Sequence, residues 1–100
     1  MKYITLEYIV NNVPSIEGWS PYIDSMSGTL EWSNGGNGWI YATPNWNQDG
    51  EVPVDFGNDS GEYNSMWTIV FRTNSTLEEQ LSYYVESVRG AIKIIEKRLV

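Results

Sequence analysis

The sequence predicts an α+β fold, a twisted antiparallel sheet of four to five strands packed against one long C-terminal helix. Two observations carry this reading. Apolar residues recur at steps of three and four near the C-terminus: Leu77, Leu81, Tyr84, Val88, Ile92, Ile95 and Leu99, the stripe of an amphipathic helix. Upstream, short runs rich in β-branched and aromatic residues alternate with clusters of Gly, Asn, Pro and Asp, which is the pattern of strands and turns. A lone helix must bury its stripe, and one apolar sheet face can cover it. One hundred residues with a 41% hydrophobic fraction fit one domain around one core.

Residues 2–10 alternate, with Ile4, Leu6, Tyr8 and Val10 against Thr5 and Glu7, so a half-buried first strand is expected there. Residues 11–27 contain Pro14, Gly18 and Pro21 and read as a long connection with room for a short helical turn. Trp19 and Tyr22 are expected to pin that connection to the body. The runs GTLEWS (28–33) and GWIYAT (38–43) flank Asn34-Gly35-Gly36-Asn37. Asn and Gly accept positive φ, so these runs form a β-hairpin, with Trp32 and Trp39 as a cross-strand pair beside the turn.

Residues 44–50 form a polar loop around Trp46. The run EVPVDF (51–56) is a strand that Pro53 consigns to an edge, because proline brings no N–H to a ladder. Residues 57–64 are a second turn-rich loop. The run SMWTIVFR (65–72) is the most apolar strand and is expected at the sheet centre, with Trp67, Ile69 and Phe71 on one face and Met66, Thr68 and Val70 on the other. Ser75-Thr76-Leu77-Glu78 has the form of a capping box, with the Ser75 hydroxyl meeting the Glu78 N–H. The helix then runs through 75–98, its acids early and most of its bases late, as the helix dipole favours. Gly90 costs this helix about 1 kcal/mol relative to Ala. The stripe continues past it, so Gly90 marks a close approach to the sheet. The sheet face away from the helix carries Thr and aromatic residues and is left exposed.

The charge is lopsided. Residues 1–74 hold nine acids and two bases, Lys2 and Arg72, which accounts for the whole net charge of −7. Residues 75–100 balance four acids against four bases. Asp49, Glu51, Asp55, Asp59 and Glu62 crowd one segment, and Trp32, Trp39, Tyr41, Trp46, Phe56 and Tyr63 lie in or near it. Acids interleaved with aromatics suit a recognition surface, since charge steers encounter while large rings anchor it. The contact face is therefore placed on Trp46, Asp49, Glu51, Asp55, Asp59, Glu62, Tyr63 and Trp39. The helix surface around Tyr83, Arg89 and Lys93 is the second choice.

Several chemistries are disfavoured. The chain has no Cys and no His, which removes thiolate sites, disulfides, the usual zinc ligands and the commonest general base. The acids of 49–62 lack EF-hand spacing, so solvated loops explain them better than a calcium site. Thirteen acids always supply candidate pairs for a glycosidase, so pairing alone is uninformative. No catalytic residue, metal ligand or cofactor is assigned. Direct nucleic-acid binding needs clustered bases, and the only group is Lys93, Lys97 and Arg98 at the helix end. The N-terminus lacks the form of a signal peptide and no run is long enough to span a membrane, so a cytoplasmic location is expected.

These features fit a small acidic inhibitor of the phage anti-defence or toxin-immunity kind. Its partner is a host or cognate protein with a basic surface, such as a nucleic-acid-handling enzyme. The alternatives are a small-ligand module that stacks a sugar or nucleotide on aromatics, and a phage structural or assembly subunit. A homodimer is left open.

Overall fold

The computed structural model describes residues 3–44, 50–72 and 74–98. Five antiparallel strands form one sheet in the order β1-β2-β3-β4-β5, with each strand beside its sequence neighbour. They are β1 (Ser20–Ile23), β2 (Leu30–Ser33), β3 (Gly38–Ala42), β4 (Glu51–Asn58) and β5 (Asn64–Val70). A short helix α1 (Leu6–Asn12) precedes the sheet, and the long helix α2 (Leu77–Arg98) follows it. The fold is the α+β arrangement expected from the sequence. None of the described helices is long and apolar enough to cross a membrane.

One core joins the inner sheet face to both helices. Leu30, Trp32, Ile40, Ala42, Val52, Val54 and Phe56 supply the sheet side, and Tyr84, Val88, Ala91, Ile92 and Ile95 supply α2. The expected stripe thus faces the core, buried from Tyr84 to Ile95 and half-buried at Leu77 and Leu81, while its last member, Leu99, lies outside the described residues. A hydrogen-bonded chain crosses this core. Trp32 Nε1–H donates to Tyr84 Oη at 3.0 Å, and Tyr84 Oη–H donates to the Ala42 carbonyl at 2.6 Å. Burial pushes the Tyr84 hydroxyl pKa well above the usual tyrosine range, so it stays a donor.

The described residues of the expected first strand, 3–10, do not form it. Thr5 caps a helix there, its Oγ1 accepting from the Tyr8 N–H at 3.1 Å, and Glu7 lies in the first turn. Leu6, Ile9, Val10 and Val13 also stand at helical spacing, so the same apolar residues satisfy two periods. Burial decides for the helix, since Ile9 is fully buried. Ile4, just ahead of the cap, is buried too. Its N–H donates to Oε1 of Gln80, a buried polar residue on α2.

The connection read across 11–27 contains β1. Trp19 is buried as expected, but Tyr22 is 56% exposed on the outer face and pins nothing. The expected positions of β4 and β5 are reversed: β4 is internal and β5 is an edge. Pro53 is tolerated because pairing with β3 stops at Val54 opposite Ala42, leaving Pro53 beside β5 alone. β5 has the inner and outer faces expected of it, but Met66 and Val70 on its outer face are 64% and 65% exposed. Trp32 and Trp39 are not a cross-strand pair. Trp32 lies opposite Ile40 and points inward, whereas Trp39 lies opposite Gly57 on the outer face.

The cap of α2 sits one residue later than expected. Thr76 Oγ1 accepts from the Glu79 N–H at 3.1 Å, and Glu79 Oε1 accepts from the Thr76 N–H at 3.0 Å. The reciprocal bond, from the backbone first and the hydroxyl second, holds the Glu79 carboxyl below its usual pKa. Ser75 instead donates back to the Arg72 carbonyl.

Candidate functional site

The sheet face away from α2 carries a cross-strand row that spans all five strands. Tyr22 lies opposite Glu31, Glu31 opposite Tyr41, Tyr41 opposite Asp55, and Asp55 opposite Met66. Strict alternation produces this row. The neighbours of each residue along its strand point inward, and β4 shows it most clearly, with Val52, Val54 and Phe56 buried and Glu51, Pro53 and Asp55 half-buried. An open groove of about 530 Å³ lies along the row, lined by Glu31, Tyr41, Asp55, Met66, Pro53 and Thr43 and closed at one end by the β1–β2 turn with Asp24, Ser27 and Thr29.

The groove is electronegative. Burial raises the pKa of the Tyr41 hydroxyl first, and the carboxylates of Glu31, Asp59, Asp55 and Asp24 raise it further. Four acids therefore project their field onto one phenol. Thr29 Oγ1 donates to Glu31 Oε2 at 3.2 Å and is itself paired with Ser27 Oγ, so hydroxyls orient the Glu31 carboxylate. Asp24 Oδ1 accepts from the backbone N–H groups of Met26 and Ser27, which holds its carboxyl below the usual range and keeps the turn anionic. Strand spacing puts Glu31 and Asp55 about 10 Å apart with Tyr41 between them. Among the described residues, no three acids are grouped so as to hold a metal ion.

Trp39 adjoins the groove through Tyr41. Its ring stacks on Tyr41 with centroids 4.9 Å apart. It can lie flat over β4 because its cross-strand partner is Gly57. A Cβ there would come within 2.8 Å of the Trp39 ring and 2.7 Å of the Tyr63 carbonyl.

The structure gathers only part of the face expected from the sequence. Asp55 lies in the groove and Trp39 adjoins it. Asp59 is on the β4–β5 turn, its N–H bonded to the Asn37 carbonyl at 2.7 Å, and its charge reaches Tyr41. Glu51 heads β4 on the outer face, opposite Val70. Glu62 is exposed on the same turn as Asp59, with its carboxylate accepting from Ser60 Oγ. Tyr63 is half-buried and packs against the core. Trp46 and Asp49 lie outside the described residues. Asp24, Glu31, Tyr41 and Met66 were not among the expected contact residues. The alternation of LEWS and GWIYA could have found Glu31 and Tyr41, because it puts both on the face away from the buried Trp32 and Ile40. Met66 and Asp24 need the strand order and the turn geometry, which no local pattern encodes.

The arrangement suits a cation. A guanidinium or ammonium laid over Tyr41 meets an aromatic face below and carboxylates on both sides. Compared with known proteins, the chain matches no family model, no curated protein and no solved structure.

Proposed function

We propose that the protein is a non-catalytic binder: a small acidic inhibitor that blocks a basic, nucleic-acid-handling bacterial protein by stoichiometric contact. It would work as phage anti-defence or toxin-immunity proteins do. The observation that carries this reading is the outer-face row, in which Glu31 and Asp55 flank Tyr41 within a field of four carboxylates. Such a face accelerates encounter with a basic surface, and its ring and Met66 supply apolar contact once the partner is seated. The absence of His and Cys supports a binding role over an acid–base or nucleophilic one. An inhibitor of this kind acts in the cytoplasm, where its targets are.

The test is capture from bacterial lysate by wild type and by a Glu31→Gln/Asp55→Asn/Tyr41→Ala variant. The expected result is a basic protein held in equimolar ratio by wild type, inhibited in its own activity and lost from the variant. Undiminished capture by the variant would sink the proposal, as would substrate turnover by the pure protein that one Asp or Glu change abolishes.

A second reading follows from the groove's size. Its volume of about 530 Å³ falls in the range of small-ligand sites. The carboxylates direct that reading to a cationic or neutral ligand, such as a sugar stacked on Tyr41, and away from nucleotide phosphates. Saturable binding of a small sugar or amine at Tyr41, with no protein captured, would favour it.

A further inference from the structure

The two edges of the sheet are unlike. β1 is four residues long and contains Pro21, which blunts it against pairing. β5 is seven residues long, Asn-Ser-Met-Trp-Thr-Ile-Val, with no charge, proline or glycine. Edges that must stay single usually carry a lysine, a proline or a bulge. β5 has neither of the first two, and it exposes Met66 and Val70. Along its inner side, a groove of about 240 Å³ lies between Ile69 and the Tyr83 and Ser87 side chains of α2.

We propose that β5 is the interface of a homodimer, in which two copies pair antiparallel through Asn64–Val70 about Trp67. The strand's own midpoint sets this register, because it alone pairs all seven residues. Charge then identifies the occupant. With Trp67 opposite its own copy, Asn64 faces Val70, and two residues beyond the strand Arg72 comes level with Glu62 of the partner copy. Symmetry makes this contact twice. A chain of net charge −7 would repel itself over most of its surface. At this edge it meets its copy through an uncharged strand with complementary charges at both ends. The two-fold axis of such a pair is perpendicular to the sheet. Both helices therefore lie on one side and both acidic grooves on the other, where a bivalent basic target can engage both at once.

The experiment is sedimentation equilibrium on wild type, Arg72→Glu, Glu62→Arg and the double reversal. Both residues are exposed, and far-UV circular dichroism checks that each variant is folded. Wild type is expected at twice the chain mass of 11.4 kDa. Each single reversal places like charges opposite each other twice and should raise the dimer Kd about tenfold. The double reversal restores opposite charges and should return the Kd to the wild-type value. A wild type that remains monomeric at its highest soluble concentration overturns the proposal. So does a dimer whose Kd ignores both single reversals.

Discussion

Replacing Tyr84 by Phe removes one oxygen atom and strands two partners inside the core. Trp32 Nε1 loses its acceptor and the Ala42 carbonyl loses a donor, while the ring still fills its space. Tyr84 and Ala42 are fully buried and Trp32 is 1% exposed, so water cannot replace the lost bonds. A buried donor left unsatisfied costs about 1–3 kcal/mol, and the carbonyl adds less because it keeps its strand context, so about 2–4 kcal/mol is expected. For a chain of 100 residues this lowers Tm by at least about 8 °C. Urea unfolding with Tyr83→Phe as control measures it. Tyr83 is on the same helix but 46% exposed, and its variant should stay within about 0.5 kcal/mol of wild type. The same residue fixes an alkaline limit. Its folded pKa lies above the unfolded value of 10.0, so the folded state holds the proton longer. That stability is fully present below pH 10 and is lost as pH rises beyond it. Tyr84→Phe should therefore flatten the fall in stability above pH 10. If Tyr84→Phe melts like wild type and keeps its alkaline sensitivity, the buried chain does not hold helix to sheet.

Gly90→Ala should raise stability by about 1 kcal/mol in thermal melts, because the added Cβ meets the Trp67 ring at 3.5 Å, an ordinary contact, while the helix gains propensity. Thr76→Ala should cost about 1 kcal/mol by urea unfolding and Ser75→Ala less, because Thr76 is the residue bonded to the Glu79 N–H. Gly57→Ala should lose at least about 1 kcal/mol and disturb the near-UV dichroism of Trp39, since its Cβ falls within 3 Å of both the Trp39 ring and the Tyr63 carbonyl.

What the sequence displayed and what it hid divide on physical lines. The helix stripe from Leu77 to Ile95 was legible because a 22-residue helix of period 3.6 leaves no competing reading. The hairpin at 34–37 was legible from its Asn and Gly residues. Residues 2–10 misled because Ile4, Leu6, Tyr8 and Val10 fit a strand while Leu6, Ile9, Val10 and Val13 fit a helix. Burial of Ile9 decides for the helix, and the Thr5 cap with Glu7 behind it is the local sign that agrees. The order of β4 and β5 misled because apolar content reports burial only when both faces are covered. β5 is apolar and half bare, and β4 tolerates Pro53 because β3 ends at Ala42. The candidate site followed the same rule. Composition drew attention to the acidic loops, but the row that gathers charge needs five strands in register, and Glu31 and Tyr41 come from a hairpin upstream of the acidic segment.

The outer sheet face is proposed to accept a cationic partner at Tyr41. The most direct measurement is an amide chemical-shift titration of the isotope-labelled protein with an oligo-arginine peptide, at low and at physiological salt. Shifts are expected to concentrate at Glu31, Tyr41, Asp55 and Met66, to weaken as salt rises, and to vanish in the Glu31→Gln/Asp55→Asn variant. Shifts confined to Asp59 and Glu62, or centred on Tyr83, Arg89 and Lys93 of α2, would contradict it.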